Sequence, residues 1–143
     1  MLKTILKYAV MLTAGGSVYV GVELLWRGYS HWSMMLAGGV SLIAIGVMND
    51  NAFGWEMSLT SQMFLSGAAV TAIELIFGVI LNIWLDMGVW DYSGMPHNFL
   101  GQICMSYFGF WQILSVAAIV MYDYLDYALS GCAAEKKPRY KFI

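Results

Sequence analysis

The amino-acid sequence predicts an all-α membrane protein with four transmembrane helices. Of its 143 residues, 60% are hydrophobic and only 11% are charged, whereas soluble domains typically have about 25% charged residues. Four apolar stretches approach or exceed the length of about 20 residues that a helix needs to cross a bilayer. The runs are continuous and lack the alternation of membrane β-strands. An ordinary soluble domain is therefore excluded.

The four predicted spans form one domain, residues 1–130, followed by a basic tail, residues 131–143. The spans cover about residues 8–26, 32–48, 62–85 and 98–122. The second span is at the lower limit of spanning length, and the fourth helix can continue to Leu129. Asn98, which follows Pro96, is expected to cap the fourth helix at its N-terminus.

The distribution of Lys and Arg predicts that both termini are cytoplasmic. An even number of spans places the termini and the middle loop, residues 49–61, on one side, with six of the seven basic residues. Only Arg27 lies on the other side, and cytoplasmic loops carry the excess of basic residues. The expected location is a bacterial cytoplasmic membrane. Nucleic-acid binding is excluded as a main role, because the net charge is -2 and such binding needs clustered basic residues.

Two segments suggest an internal repeat. Aligning GSVYVGVELLW (16–26) with GAAVTAIELIF (67–77) matches Gly16 with Gly67 and Glu23 with Glu74. Chance similarity between two apolar helices is the alternative. A real repeat would relate two parallel hairpins by an axis along the membrane normal.

Two glutamates within the spans are candidate functional residues, because ionisable groups inside a membrane are costly. Glu74 lies near the middle of span three and has no charged neighbour on its own helix. Glu23 lies near the outer end of span one, four residues before Arg27, which is the spacing of a helical ion pair. The structural alternatives are a Glu23–Arg27 salt bridge near the headgroups and an interhelical hydrogen bond from Glu74.

Small and polar residues form stripes on two spans. The stripe on span three comprises Gly67, Thr71, Glu74, Gly78 and Asn82, all on one helical face. The stripe on span four comprises Asn98, Gln102, Ser106, Gly109 and Ile113. Both faces are expected to turn inward, because small residues let helices approach closely. The inner half of the bundle is expected to contain almost no polar groups.

The outer third of the bundle is predicted to form a polar, outward-facing substrate pocket. Its candidate binding residues are Glu23, Arg27, His31, Glu74, Asn82, Trp90, Asp91, Tyr92, His97, Asn98 and Gln102. Trp90 and Tyr92 also suit the interfacial aromatic belt. We expect no metal site, because the two histidines lack the helix spacing of bundle metal sites, and we expect no cofactor or catalytic residue.

The segment from Glu74 to Trp111 resembles the putative ABC-transporter type IV (CmpB-like) membrane family. The residues that carry the resemblance are Glu74, Trp90, Asp91, Tyr92, Ser93, Pro96, Asn98, Gly101, Ile103, Cys104 and Trp111. The resemblance implies a transporter whose substrate it leaves undefined. The chain has no nucleotide-binding motif, so ATP coupling would need a separate ATPase or larger membrane subunit. Four spans are also few for a permease, which implies a homo-oligomer.

The leading functional prediction is a small transporter or permease whose pocket is built around Glu23 and Glu74. One alternative is a structural or accessory subunit of a larger membrane complex. Another is an intramembrane enzyme acting on lipid headgroups, with Glu23, His31, Asp91 or His97 as acid or base.

Overall fold

The computed structural model of the protein describes residues 1–50 and 57–142, and it has the predicted all-α architecture. Part of the predicted middle loop lies outside the described residues. The helices are α1 (Leu2–Arg27), α2 (Trp32–Met48), α3 (Leu59–Gly78), which continues as a π-helix (Val79–Trp84), and α4 (Met105–Leu129). The smaller elements are β1 (Asn98–Phe99), β2 (Ile103–Cys104) and a 3-10 turn (Ala134–Lys136).

Within residues 1–50 and 57–142, three helical segments are long and apolar enough to cross a membrane. They are α1, α3 with its π-helical extension, and α4. The fourth, α2, has the predicted bounds and is a shorter apolar helix of 17 residues. The orientation of the termini relative to the membrane stays a prediction.

Local capping explains the sharp turn between α1 and α2. Gly28 has a φ of 78° and donates its N–H to the carbonyl of Leu24, which is the left-handed cap that glycine favours. Three residues later, the side chain of His31 accepts a hydrogen bond from Ser33 N and caps α2. The two helices are therefore antiparallel neighbours.

Glycines bring the helices of each hairpin into close contact. A methyl group added at Gly15 would lie 2.6 Å from Cβ of Leu42 on α2, and one added at Gly67 would lie 2.5 Å from the Gln112 amide on α4. Small residues permit such approach between membrane helices. The predicted inward stripe on α3 is confirmed, since it is buried from Gly67 to Gly78.

The predicted two-hairpin repeat stays a prediction. Gly16 abuts the α2 backbone at Met35, and Gly67 abuts Gln112 on α4. Each glycine thus contacts the second helix of its own hairpin. The matched glutamates, however, have different kinds of partner, as described below.

The predicted start of the fourth helix at about residue 98 is wrong, because α4 begins at Met105. Leu100 and Gly101 have φ values of 54° and 66°, and this left-handed turn joins β1 to β2 instead of continuing a helix. Asn98 is paired with Cys104 in that hairpin. Its amide donates to the carbonyl of Met95 at 2.8 Å, so Asn98 stabilises the loop and does not cap α4.

The inward face predicted for span four is also wrong. Ser106, Gly109 and Ile113 are exposed, with Ile113 at 71%. The buried face of α4 instead carries Trp111, Gln112, Ser115, Ile119, Tyr122, Asp123 and Asp126. The later start of the helix explains why Asn98 and Gln102 do not extend the predicted stripe.

The end of the bundle that holds the termini is polar inside, which contradicts the expectation of an apolar inner half. Asp126 pairs with Lys7 at 2.7 Å and with Lys136 at 2.8 Å. Asp123, also buried, accepts from the Tyr140 hydroxyl at 3.0 Å. Because α4 extends to Leu129, it brings both aspartates inside, where side chains distant in sequence satisfy them. The tail is thereby held against the bundle.

Candidate functional site

A cleft of about 180 Å³ lies between α1 and α4, with α2 beneath it. Aromatic and aliphatic side chains form most of its walls, among them Tyr19 and Trp26 on α1 and Phe110 and Trp111 on α4. Val18, near the middle of α1, also lines the cleft and is 50% exposed. The cleft therefore reaches the lateral surface of the bundle.

Glu23 and Arg27 form a charged pair that lines this cleft. The Arg27 guanidinium donates to Oε1 of Glu23 at 2.5 Å, and the Ser30 hydroxyl donates to Oε2 at 2.5 Å. The guanidinium carbon also lies 4.6 Å from the ring centroid of Tyr29. The predicted helical salt bridge is confirmed, and both carboxylate oxygens are occupied.

Glu74 is buried and bonded to side chains from two other elements. The Tyr92 hydroxyl donates to Oε1 at 3.0 Å and the Trp111 indole N–H donates to Oε2 at 2.7 Å. Glu74 borders a small void of about 10 Å³ instead of the larger cleft. The structure thus separates the two glutamates that the sequence pattern predicts in one pocket.

An aromatic layer lies between Glu74 and the cleft. Tyr92 stacks on Tyr107 with ring centroids 4.6 Å apart, and Trp111 stacks on Tyr19 at 5.5 Å. All four rings line the cleft. Burial raises the pKa of the Tyr92 hydroxyl, and the nearby Glu74 carboxylate raises it further. Tyr92 therefore remains a protonated hydrogen-bond donor.

Asn82 and Gln102 hold the loop between α3 and α4. The Asn82 amide donates to Oε1 of Gln102 at 2.8 Å, and its oxygen accepts from Val89 N at 2.7 Å. The Trp90 indole donates to the Gln102 carbonyl at 3.0 Å. Trp90 is 8% exposed and packs with Met34 in the core. Its polar edge has a partner inside the protein, and its predicted place in an interfacial aromatic belt stays a prediction.

The remaining candidates lie in turns and caps. Asp91 is exposed and accepts hydrogen bonds from Ser93 N at 2.8 Å and from the Ser93 hydroxyl at 2.9 Å. These bonds lower the pKa of the Asp91 carboxyl. His31 caps α2, and exposed His97 has a φ of 53°.

The structure brings three of the eleven candidates to the cleft: Glu23, Arg27 and Tyr92. The described lining of the cleft does not include the other eight: His31, Glu74, Asn82, Trp90, Asp91, His97, Asn98 and Gln102.

Most of the cleft walls lie outside the predicted pocket, because the charged and amide groups that define the prediction form only a small part of the lining. Tyr107, Trp111 and Ser115 follow one another at steps of four residues on α4, which places them on one helical face. On α1, Tyr19, Glu23 and Arg27 are spaced in the same way. This shared spacing indicates two facing walls.

The comparisons with known proteins identify the family. No curated protein and no solved structure matches the chain. The family model for putative ABC-transporter type IV matches residues 11–140, nearly the whole chain. Together with the three long apolar helices, this match indicates an integral membrane protein. The chain therefore belongs to the putative ABC-transporter type IV family.

Proposed function

We propose that the chain is the membrane-embedded subunit of a transporter and that the cleft between α1 and α4 is where it contacts its substrate. The observation that carries this proposal is the cleft's construction: aromatic and aliphatic walls, the Glu23–Arg27 pair in its lining, and exposed Val18 at its lateral opening. Ligand pockets commonly combine apolar walls with a few fixed polar groups. Family membership supports the transporter class.

Glu74 enters this proposal indirectly. Its carboxylate fixes Tyr92 and Trp111, and both rings line the cleft. We therefore assign Glu74 to positioning the wall, Arg27 to direct contact with the substrate and Glu23 to holding the Arg27 guanidinium at the cleft. Asn82 and Gln102 support the loop that carries Tyr92.

The proposed assembly contains a separate ATPase subunit and more than one copy of this chain. The sequence has no nucleotide-binding motif, so nucleotide hydrolysis has to occur on another chain. We place the complex in a bacterial cytoplasmic membrane with both termini of this chain in the cytoplasm, as the distribution of Lys and Arg predicts.

A role as an accessory subunit is the second candidate. It is favoured by the hydrogen bonds of Glu74, Asn82 and Gln102, all of which find partners within the chain. Packing alone can therefore account for these polar groups. The enzyme alternative has less support, because His31 and Asp91 serve a helix cap and a turn away from the cleft.

Filling the cleft tests the proposed function. Ala117 and Ile113 are exposed residues on α4, but only Ala117 lines the cleft. The complex would be purified from its native membrane in mild detergent, and its ATP hydrolysis measured for Ala117→Phe and for the matched control Ile113→Phe. We expect ATPase activity to accompany the chain and to change only in Ala117→Phe. An intact complex without ATPase activity, or with the same activity in both variants, would favour the accessory role.

A further inference from the structure

Two buried polar atoms that belong to the cleft lining have no hydrogen-bond partner within the described chain. They are Nε of Arg27 and Oγ of Ser115. Ser115 is only 2% exposed. Buried polar groups in proteins are nearly always hydrogen-bonded, because leaving one unpaired costs free energy. A ligand that enters the cleft and displaces the side chains covering Nε of Arg27 would supply the missing partner of that atom.

The chemistry of these atoms limits the head group of that ligand. Both Glu23 oxygens already accept hydrogen bonds, from Arg27 and Ser30. Arginine offers only donors, so the unpaired atom of this pair is an N–H group. A ligand oxygen, particularly an anionic one, complements that group, because charge-assisted hydrogen bonds are stronger than neutral ones.

The dimensions of the cleft limit the rest of the ligand. A volume of about 180 Å³ is slightly larger than the cavity of about 150 Å³ that holds one benzene molecule. It therefore accommodates one ring or one slender chain segment, and two acyl chains would not fit side by side. Because Val18 borders the cleft near the middle of a membrane-spanning helix, the apolar part can enter from the hydrocarbon region.

We propose that the cleft binds a single-chain amphiphile with an oxyanion head group. The oxyanion accepts a hydrogen bond from Nε of Arg27, and the apolar chain lies against Trp26 and Phe110, whose rings pack on each other in the cleft wall with centroids 5.9 Å apart. This inference rests on the proposed function, because it specifies the substrate class of the same cleft.

Binding of four ten-carbon probes to the full-length chain in phosphatidylcholine nanodiscs tests the inference. The probes are decanoate, decyl phosphate, decanol and decyltrimethylammonium, which differ only in the head group. We expect the better of the two oxyanions to bind about tenfold more tightly than decanol, the ratio that one hydrogen bond to a charged group provides. Whether decanoate or decyl phosphate binds more tightly distinguishes a carboxylate ligand from a phosphate ligand.

Arg27→Lys provides the matched variant, because it keeps the positive charge and removes Nε. We expect it to weaken binding of the preferred oxyanion by about tenfold and to leave decanol affinity unchanged. If the variant does not fold, the comparison of head groups in the unmodified chain decides alone.

Two outcomes separate this inference from the proposed function. Equal affinities for all head groups, or tightest binding of the ammonium, would overturn the oxyanion assignment. If Ala117→Phe still abolished binding in that case, the cleft would remain the binding site. If Ala117→Phe left the affinity of every probe unchanged, the cleft would not be the site and both proposals would fail.

Discussion

The indole N–H of Trp111 donates a hydrogen bond of 2.7 Å to the Glu74 carboxylate. This bond joins α4 to α3 below the wall of the cleft. The other carboxylate oxygen accepts from Tyr92, which belongs to the loop between the same helices. One buried side chain therefore fixes two aromatic rings of the cleft.

Two substitutions of Glu74 should distinguish the contribution of the side chain's shape to stability from the contribution of its hydrogen bonds. In Glu74→Gln, the amide can still accept from Trp111 and can donate to the Tyr92 oxygen, so we expect a loss of less than about 1 kcal/mol. Glu74→Leu leaves both donors unpaired and should reduce the free energy of unfolding by about 2 kcal/mol or more. Equilibrium unfolding in mixed detergent micelles measures both values, and equal stability of the two variants would contradict the assignment.

Gly46 should not tolerate a methyl group. A Cβ atom at this position would overlap the ring of Tyr122, which is fully buried. We expect Gly46→Ala to destabilise the protein by about 1–3 kcal/mol, as overpacking does. Gly21 on α1 has open space around it, so Gly21→Ala is the control and should be neutral or stabilising. Thermal unfolding of both variants checks this contrast.

Asp126 should contribute more to stability than its partner Lys136. Its side chain is 10% exposed and pairs with Lys7 and Lys136. We expect Asp126→Ala to cost about 2 kcal/mol, less than removing a partner from a fully buried pair. Lys136 is 44% exposed, so Lys136→Met should cost less than about 1 kcal/mol. Similar losses of unfolding free energy in both variants would refute this ranking.

The turn at Asp91 should loosen in acid. Hydrogen bonds from Ser93 lower the pKa of the Asp91 carboxyl, so the folded turn binds a proton less readily than the unfolded chain. The stabilisation is therefore complete above the ordinary Asp pKa of about 3.9 and is lost as the pH falls through the lower folded value. Hydrogen exchange of the loop, corrected for intrinsic rates, should show less protection at acidic pH, and Asp91→Ala should remove the difference. Protection of the loop that does not change with pH in the unmodified chain would contradict this prediction.

Cysteine labelling tests the predicted orientation. Cys132 is exposed in the tail and Cys104 is buried before α4, and both are free. A membrane-impermeant maleimide should label Cys132 only when the cytoplasmic face is accessible, as in inverted vesicles. The label should be absent in Cys132→Ser. Labelling of intact cells at Cys132 would place the termini outside.

Local sequence patterns predicted the elements whose determinants are close together in the chain. The bounds of α2 and the buried stripe on α3 followed from apolar length and helical spacing, and the Glu23–Arg27 pair followed from a four-residue step. Each of these depends on neighbours within one helix.

The missed features depend on contacts between distant residues or on an unusual backbone. Leu100 adopts a positive φ, which a leucine gives no reason to expect, so the sequence predicts helix where the structure has a hairpin before α4. Lys7 and Asp126 are far apart in the sequence, and only the folded bundle shows that they neutralise each other. The partner of the Trp90 indole is the Gln102 carbonyl, a backbone group whose position a residue pattern does not show.

The central claim is that the cleft between α1 and α4 binds the substrate, and photocrosslinking in native membranes tests it most directly. A decanoic acid probe with a diazirine on its chain would be activated by light, and the modified residues identified by mass spectrometry. We predict adducts on Trp26, Phe110 and Met121, which line both walls of the cleft, and their loss in Ala117→Phe. Adducts confined to residues of the outer surface such as Ile113, with the same pattern in Ala117→Phe, would contradict the claim.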